Sequence, residues 1–374
     1  MRVCSTVFIV RAAEVKMGRM FSRALLLWIA AASVLFGSDK KEIDVSASQE
    51  WIDTGVDLKA GDRINIKATG TVQYDDGARS TGPEGLARGW MDLIMQFPVN
   101  AAGRGALVAR VGDSGAARAF LVGVATTKTV PIAGRLFLGI NQMPAVPGEG
   151  AYHVAIERTA GVPAKTPAGP VPVFTQQVLE QIPARVNDAQ GNLGDRVNFV
   201  VIGSLEAVQD ALAAAGWVLV DKTRKDAVLT GLLRSLSKEA YVSMPMSELE
   251  LFGRVQDFGY AQADPLMVVA ERHHFRIWKA PFTASGETVW AGAGTHDIGF
   301  EKDQRNNGLT HKIDPATDAE RDYIGQSLEQ SGMVVKNEYL TSARTVKEAR
   351  TATGGGFTSD GRTLIIYLQS NARN

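Results

Sequence analysis

The chain has 374 residues, enough for about two domains of ordinary size. Its 40 basic and 40 acidic residues give a formal net charge of zero, so its composition provides no general attraction to nucleic acid or to an anionic membrane. Its single cysteine, Cys4, excludes a disulfide framework and a thiolate metal site.

The N-terminal residues have the pattern of a secretory signal peptide. Residues 24–36 form an apolar stretch, preceded by Arg23 and followed by small and then charged residues. This stretch is too short to cross about 30 Å of hydrocarbon comfortably. We therefore predict a signal peptide over residues 1–38 and a periplasmic or secreted protein, with an uncleaved anchor as the alternative. After removal of the signal, the sequence contains no transmembrane segment by the same criterion.

Residues 42–158 have the pattern of an all-β domain. Residues 63–72 place apolar side chains at alternate positions, and further short strand candidates follow with Gly, Pro and Asp between them. Short alternating strands without a helical period indicate an antiparallel β-sandwich or jelly roll.

Four motifs in this domain resemble the calcium-dependent galactose-binding lectin family of the soluble bacterial type. In chain order they are AGDRINIKATGTVQY, TGPEG, GALVARVGDSG and LFLGINQ. The resemblance implies a sandwich that binds sugar hydroxyls through Ca²⁺. The positions that match the family's binding loops, or that offer replacement oxygen ligands beside them, are Tyr74, Asp75, Asp76, Asn141, Gln142 and Glu149.

This sequence departs from the family at the ion-binding loop. Gln142 stands where the family has an aspartate, and the family's pair of asparagines is absent. Because Ca²⁺ prefers hard oxygen ligands, two interpretations stay open. Either Asp75, Asp76 and Glu149 replace the missing ligands, or the sandwich has lost the ion.

Residues 159–182 are predicted to be a linker, because their first part holds four prolines among small residues. Residues 183–374 then mix strand-like runs with helical patterns, which predicts an α/β or α+β sandwich. We expect one helix capped by Ser204, a second over residues 225–238, and a third that begins at Asp314.

Several motifs in this half resemble the C-terminal domain of the LssY family. They include VNFVVIGS, LFGRVQD, RHHFRIW, VWAGAGTHD and THKIDP, in that order. The resemblance implies a domain that also occurs beside phosphatase-like or DedA-like membrane segments. The family offers no reaction to transfer.

Four of the five histidines lie between residues 271 and 322. Because neighbours on a strand point to opposite faces, His273 and His274 are expected on different sides of the sheet. Zn²⁺ binding or acid–base catalysis requires such side chains to converge in one pocket. The candidate set is His274, His296, Asp297 and His311.

Purely structural roles explain part of the same stretch. Asp314 has the position of a helix N-cap, Arg321 is a candidate ion-pair partner for Asp297, and His273 fits a hydrogen-bonded core histidine. We therefore expect a non-catalytic exported protein that binds a glycan or another cell-envelope component. The alternative is a metal- or histidine-dependent envelope hydrolase. Calcium in the N-terminal domain is the one cofactor that the resemblances offer.

Overall fold

The computed structural model describes residues 38–74, 79–88, 97–143, 145–161, 171–220, 246–263, 271–302 and 309–369. Residues 1–37 of the predicted signal peptide, the predicted helix at 225–238, and the candidates Asp75 and Asp76 lie outside these ranges. Within the described residues, no helix is both long and apolar enough to cross a membrane.

Among the described residues, nine strands form the N-terminal half. They are β1 (Ser38–Ser46), β2 (Trp51–Leu58), β3 (Arg63–Tyr74), β4 (Arg79–Thr81), β5 (Leu107–Val111), β6 (Phe120–Leu121), β7 (Ala125–Thr129), β8 (Gly134–Ile140) and β9 (Glu149–Thr159). One sheet has the order β1-β9-β3-β4, with β7 also paired to β3, and the second has the order β2-β8-β5-β6. The partners of β3 and the partners of β8 run antiparallel to them.

The two sheets share one hydrophobic core. Ile64 and Ile66 of β3 are fully buried, and they pack in one cluster with Leu107, Leu136 and Leu138 of the second sheet. Each such side chain contributes about 1.5–3 kcal/mol when it leaves water. The alternation seen in the sequence therefore corresponds to a β-sandwich, as expected.

The C-terminal half contains fourteen strands and three helices among its described residues. The strands are β10 (Arg185–Asn187), β11 (Leu193–Arg196), β12 (Phe199–Ile202), β13 (Val218–Leu219), β14 (Glu250–Leu251), β15 (Arg254–Val255), β16 (Phe258–Ala263), β17 (Glu271–Ala284), β18 (Glu287–Lys302), β19 (Leu309–Ile313), β20 (Val334–Thr341), β21 (Glu348–Arg350), β22 (Gly356–Thr358) and β23 (Arg362–Leu368). The helices are α1 (Gln176–Leu179), α2 (Leu205–Ala214) and α3 (Thr317–Glu329).

An eight-stranded sheet organises this half. Its order is β13-β16-β17-β18-β12-β23-β20, and β19 pairs with β18. Strand β12 runs parallel to β23 and antiparallel to β18. One face packs on α2 and α3 through residues such as Phe275 and Ile324, and the other face carries Trp278 and Ala291 beneath the short strands β10 and β14.

The α/β architecture predicted for this half is not confirmed. The described residues are mainly strand, and the long β17–β18 hairpin extends well beyond the short runs at 274–279 and 288–293 that the sequence indicated. The predicted helix cap at Ser204 is present, since its hydroxyl accepts a hydrogen bond from Ala207 N. Helix α3 begins later than predicted, because Asp314 accepts from Ala316 N in a turn before the helix.

Candidate functional site

The β17–β18 hairpin distributes the histidines over two faces of the sheet. His273 pairs with His296, and His274 pairs with Thr295. Directly opposed residues of an antiparallel pair share a face, while sequence neighbours do not. His296 therefore lies on the helix-covered face with His273. The sequence analysis grouped His296 with His274, and the structure corrects that grouping.

On the other face, three polar side chains converge on one carboxylate, and together they make a group of four. We call them the Asp297 cluster: Arg272, His274, Asp297 and His311. The Oδ2 atom of Asp297 lies 3.1 Å from Arg272 Nε, 3.4 Å from His274 Nδ1 and 3.4 Å from His311 Nδ1. The Nε2 atom of His274 is 3.0 Å from Thr295 Oγ1. Three of the four predicted residues thus meet in one place.

Burial governs the protonation of this cluster. It raises the pKa of Asp297 to about 6, although Arg272 pulls the value down. Burial also lowers the pKa of His274 well below its usual value, and it lowers the pKa of His311. At neutral pH the arrangement therefore consists of an ionised Asp297 balanced by Arg272, beside two neutral imidazoles.

The Asp297 cluster does not have the geometry of a zinc site. The carboxylate oxygen that faces both imidazoles already accepts a hydrogen bond from Arg272. Zn²⁺ requires ligand distances of about 2.0–2.2 Å and a carboxylate that is available to it. Among the described residues, no group of three or more His, Cys, Asp or Glu side chains is arranged to hold a metal ion.

The helix-covered face carries a second polar group, which we call the His273 stack: His273, His296, Glu320 and Tyr323. The ring centroids of His273 and His296 are 4.3 Å apart, and those of His273 and Tyr323 are 3.8 Å apart, with nearly parallel planes. His273 Nδ1 lies 2.6 Å from Glu320 Oε2. A buried carboxylate bonded to Nδ1 fixes the orientation of the imidazole.

Glu320 and Tyr323 were missed by the sequence analysis. Glu320 stands in the first turn of a helix, where acidic side chains are usually solvated, yet it is 2% exposed, and burial raises its pKa well above the usual value. The sequence did contain one signal for this burial: Glu320 is four residues from Ile324, so the two lie on the same face of the helix, and Ile324 faces inward. Arg321 pairs with Asp318 and other carboxylates near α3, not with Asp297 as proposed from the sequence.

In the N-terminal sandwich, Tyr74 and Gln142 have structural contacts. Gln142 Oε1 accepts hydrogen bonds from Tyr74 Oη at 2.9 Å and from Gly148 N at 3.0 Å, and its Nε2 donates to Ala47 O at 2.6 Å. Both residues are buried. The side chain of Gln142 therefore ties β3, the end of β1 and the loop before β9 together.

Asn141 is held in the same way. Its Nδ2 contacts the carbonyl oxygens of Val99, Ala102 and Gly103 at 3.0–3.1 Å, and its Oδ1 accepts from Val99 N at 2.8 Å. Protein donors thus use the side-chain oxygens of both Asn141 and Gln142, which gives the two residues structural roles in the sandwich. Glu149 is exposed at the start of β9.

The outer face of the second sheet presents a group that the sequence analysis did not identify. We call it the Trp51 platform: Trp51, Arg110 and Phe137, all half-buried. The guanidinium carbon of Arg110 lies 4.3 Å from the Trp51 ring centroid and 5.5 Å from that of Phe137. Nearby on the same sheet, Arg135 pairs with Asp53 at 3.1 Å.

Comparisons with known proteins found a similar solved structure and a matching family model. A solved structure described as "EclA N-terminal domain; PllA-like lectin" is 25% identical, with 31% of this chain and 94% of that chain covered and a TM-score of 0.26. No curated protein matches the chain. The model of the family described as "LssY C-terminus" matches residues 179–363. The C-terminal half of this chain is therefore similar to the LssY C-terminus family, as its motifs predicted.

Proposed function

We propose that this protein is an exported, non-catalytic binding protein that holds a cell-envelope glycan on the Trp51 platform. The observation that carries the proposal is the stacking of Arg110 on Trp51 and Phe137 at the outer face of a sandwich sheet. The lectin-like motifs of the same domain and the signal-like N-terminus support it.

The platform has the chemistry that sugar recognition requires. A pyranose ring presents an apolar C–H face, which packs on an aromatic side chain, and hydroxyl groups at its rim, which need donors and acceptors. Trp51 and Phe137 supply aromatic surface. The half-buried guanidinium of Arg110 supplies N–H donors, although its Nε is itself buried and has no hydrogen-bond partner among the described residues.

The LssY-like half has an assembly or binding role in this proposal. In this half the Asp297 cluster is largely closed to water, with Arg272 bonded to Asp297 and His311 about one-third exposed. Buried polar networks of this kind hold one packing arrangement in place.

Glycan binding by the full chain tests the proposal. On a glycan array, the wild-type protein is expected to bind, and Trp51→Ala and Arg110→Gln are each expected to lower affinity by about tenfold or more, as for a contact of more than 1 kcal/mol. Arg63→Gln is the matched control, because Arg63 is an exposed arginine on the other sheet. Wild-type affinity in Trp51→Ala would refute the platform.

Chelation addresses the calcium prediction separately. Because the Trp51 platform contains no carboxylate to hold Ca²⁺, we expect glycan binding to survive EDTA. If EDTA abolished binding and CaCl₂ restored it, the binding site would instead involve calcium and the candidate ligands Asp75, Asp76 and Glu149.

Fractionation tests the proposed location. The full chain is expected in the periplasm or medium, and a chain that starts at Asp39 is expected to stay inside the cell. Equal distribution of the two would contradict export.

The His273 stack favours a hydrolase as the second candidate. A histidine held at 2.6 Å by the buried Glu320 has the base–orienter geometry of acid–base catalysis. Turnover of ester, phosphodiester or glycoside substrates that disappears in His273→Gln and His296→Ala would support this candidate and refute the non-catalytic role.

A further inference from the structure

Arg196, the last residue of β11, is a buried arginine that no carboxylate contacts within the described residues. It is 3% exposed, and its Nη1 has no hydrogen-bond partner. Its Nη2 reaches Thr345 Oγ1 at 3.4 Å and Thr363 Oγ1 at 3.5 Å. Both contacts are longer than an ordinary N–H···O bond of about 2.9 Å.

Other buried arginines of this half have anionic partners. Arg321 contacts three carboxylates, Arg272 donates to Asp297, and Arg276 lies 3.8 Å from Asp195. A buried charge that lacks a partner costs several kcal/mol, and a guanidinium does not escape this cost by losing its proton. Arg196 has only the longer-range attraction of Asp318 and Asp360, so an anion from outside the chain that contacted it directly would be stabilised.

A small cavity lies at this arginine. Its volume is about 20 Å³, and its polar lining comes from Arg196, Ser342, Thr345 and Thr363. A cavity of this size holds one water-sized atom. Ser342 and Thr345 are partly exposed, so the cavity has a side that faces solvent. A ligand larger than one atom could extend from the cavity through this side.

The hydroxyl groups have different roles around the cavity. Thr345 Oγ1 donates to Gly361 O at 2.7 Å, so its proton is already used. Towards Arg196, the Thr345 hydroxyl therefore acts only as a hydrogen-bond acceptor. The Thr363 hydroxyl has its long contact with Arg196. At the rim, the exposed Arg344 donates to Ile182 O at 3.4 Å, and its charge is paired with the Glu180 carboxylate at 3.5 Å.

We propose that Arg196 and Thr363 bind an oxyanion, with one oxygen of a phosphate, sulfate or carboxylate group seated in the cavity and its remaining oxygens towards solvent. Charge-assisted N–H···O⁻ bonds are about twice as strong as neutral ones, and guanidinium groups suit oxyanions in particular. The site lies in the LssY-like half, and it is independent of the proposed glycan platform.

Thermal unfolding of the full chain tests the site with inorganic phosphate, sulfate, acetate and chloride at equal ionic strength. In the wild-type protein, at least one oxyanion is expected to raise the Tm saturably by several degrees, while chloride does not. Arg196→Met is expected to lose the saturable shift. Arg63→Gln, the exposed-arginine control, is expected to keep it. Saturation separates binding from the general stabilising effect of excluded salts, which grows steadily with concentration.

Two further variants keep the test decisive if Arg196→Met fails to fold. Thr363→Val retains the arginine and is expected to weaken the saturable response by about tenfold, as for one lost hydrogen bond. Arg196→Lys retains the charge and is expected to weaken it as well. A saturable response to chloride alone, or shifts that are identical in the wild type and all three variants, would overturn the proposal.

Discussion

Glu320 and His273 connect helix α3 to strand β17, with Glu320 Oε2 at 2.6 Å from His273 Nδ1. The other oxygen of Glu320 has no partner among the described residues. Burial raises the pKa of Glu320 well above its usual value, and repulsion from Asp297 and Asp314 adds to the effect. The pair therefore places a proton-binding carboxyl group between the helix and the sheet.

Replacing Glu320 with glutamine is expected to stabilise the protein at alkaline pH. A carboxyl group whose pKa is raised by folding contributes stability below its unfolded pKa, and this contribution is lost as pH rises towards the folded value. Glu320→Gln has no charge to bury, so its free energy of unfolding at pH 8 should exceed that of the wild type by about 1 kcal/mol or more. Urea unfolding between pH 5 and 8 measures the difference. Glu206→Gln, an exposed glutamate of α2, serves as the control, and parallel pH curves for wild type and Glu320→Gln would contradict the prediction.

His274 predicts a pH effect of the opposite sign. Burial holds its pKa well below the usual value, so its contribution to stability is present above the unfolded pKa of about 6.5 and is lost on acidification. His274→Gln should therefore lose less stability than the wild type between pH 7 and 5, by up to about 1.4 kcal/mol per pH unit.

Thermal unfolding at several pH values measures the His274 effect, and His153 provides a contrast. The Asp44 carboxylate raises the pKa of the exposed His153, so that its contribution is present at low pH and is lost as pH rises. His153→Gln should not reduce the acid sensitivity. If both substitutions changed the acid sensitivity in the same direction, the assigned burial effect at His274 would be wrong.

Asn141 is expected to stabilise the sandwich strongly. Asn141→Ala removes hydrogen bonds to Val99, Ala102 and Gly103 and leaves buried backbone groups unsatisfied. We expect a loss of about 2–4 kcal/mol, measured by urea unfolding. Asn65→Ala is the control, because Asn65 is a half-buried strand asparagine, and its loss should stay within about 0.5 kcal/mol. Equal losses in the two variants would contradict the structural role of Asn141.

Strand alternation was sufficient to separate His273 from His274, but it did not show which of them shares a face with His296. That depends on the register of β17 against β18, and a slip of one residue would have put His296 opposite His274. The register shifts between Lys279 and Thr283. Pro281, which lacks a backbone N–H, marks the place of this irregularity, but the sequence does not give the size of the shift, so residue spacing alone could not define the candidate site.

The burial of charge was the other feature that sequence patterns concealed. Glu320 and Arg321 follow acidic and small residues at the start of a helix, a pattern typical of a solvated surface, yet both are buried. Their burial follows from the position of α3 between the sheet and the β22–β23 connection, where Asp360 bonds Arg321. By contrast, the β-rich N-terminal half was predictable, because its core comes from strict alternation in strands such as β3.

Replacement of Gly292 in β18 by any larger residue is expected to destabilise the protein. A Cβ atom at this position would lie 2.2 Å from Phe199 Cζ, so the ring of Phe199 would have to move. The ring is fully buried and meets Phe275 edge to face, with 5.2 Å between centroids. Because such a core has no room for the displaced ring, Gly292→Ala should cost about 1–3 kcal/mol in urea unfolding.

Two comparisons make the Gly292 prediction specific. Gly356→Ala introduces the same methyl group where no atom lies within 4 Å, and it should leave stability unchanged within about 0.5 kcal/mol. Adding Phe199→Leu to Gly292→Ala removes the ring that clashes, so the double variant should be less destabilised than the sum of the two single changes. Additive losses would show that the two residues do not compete for the same space, and the close packing of β12 against β18 would then need another explanation.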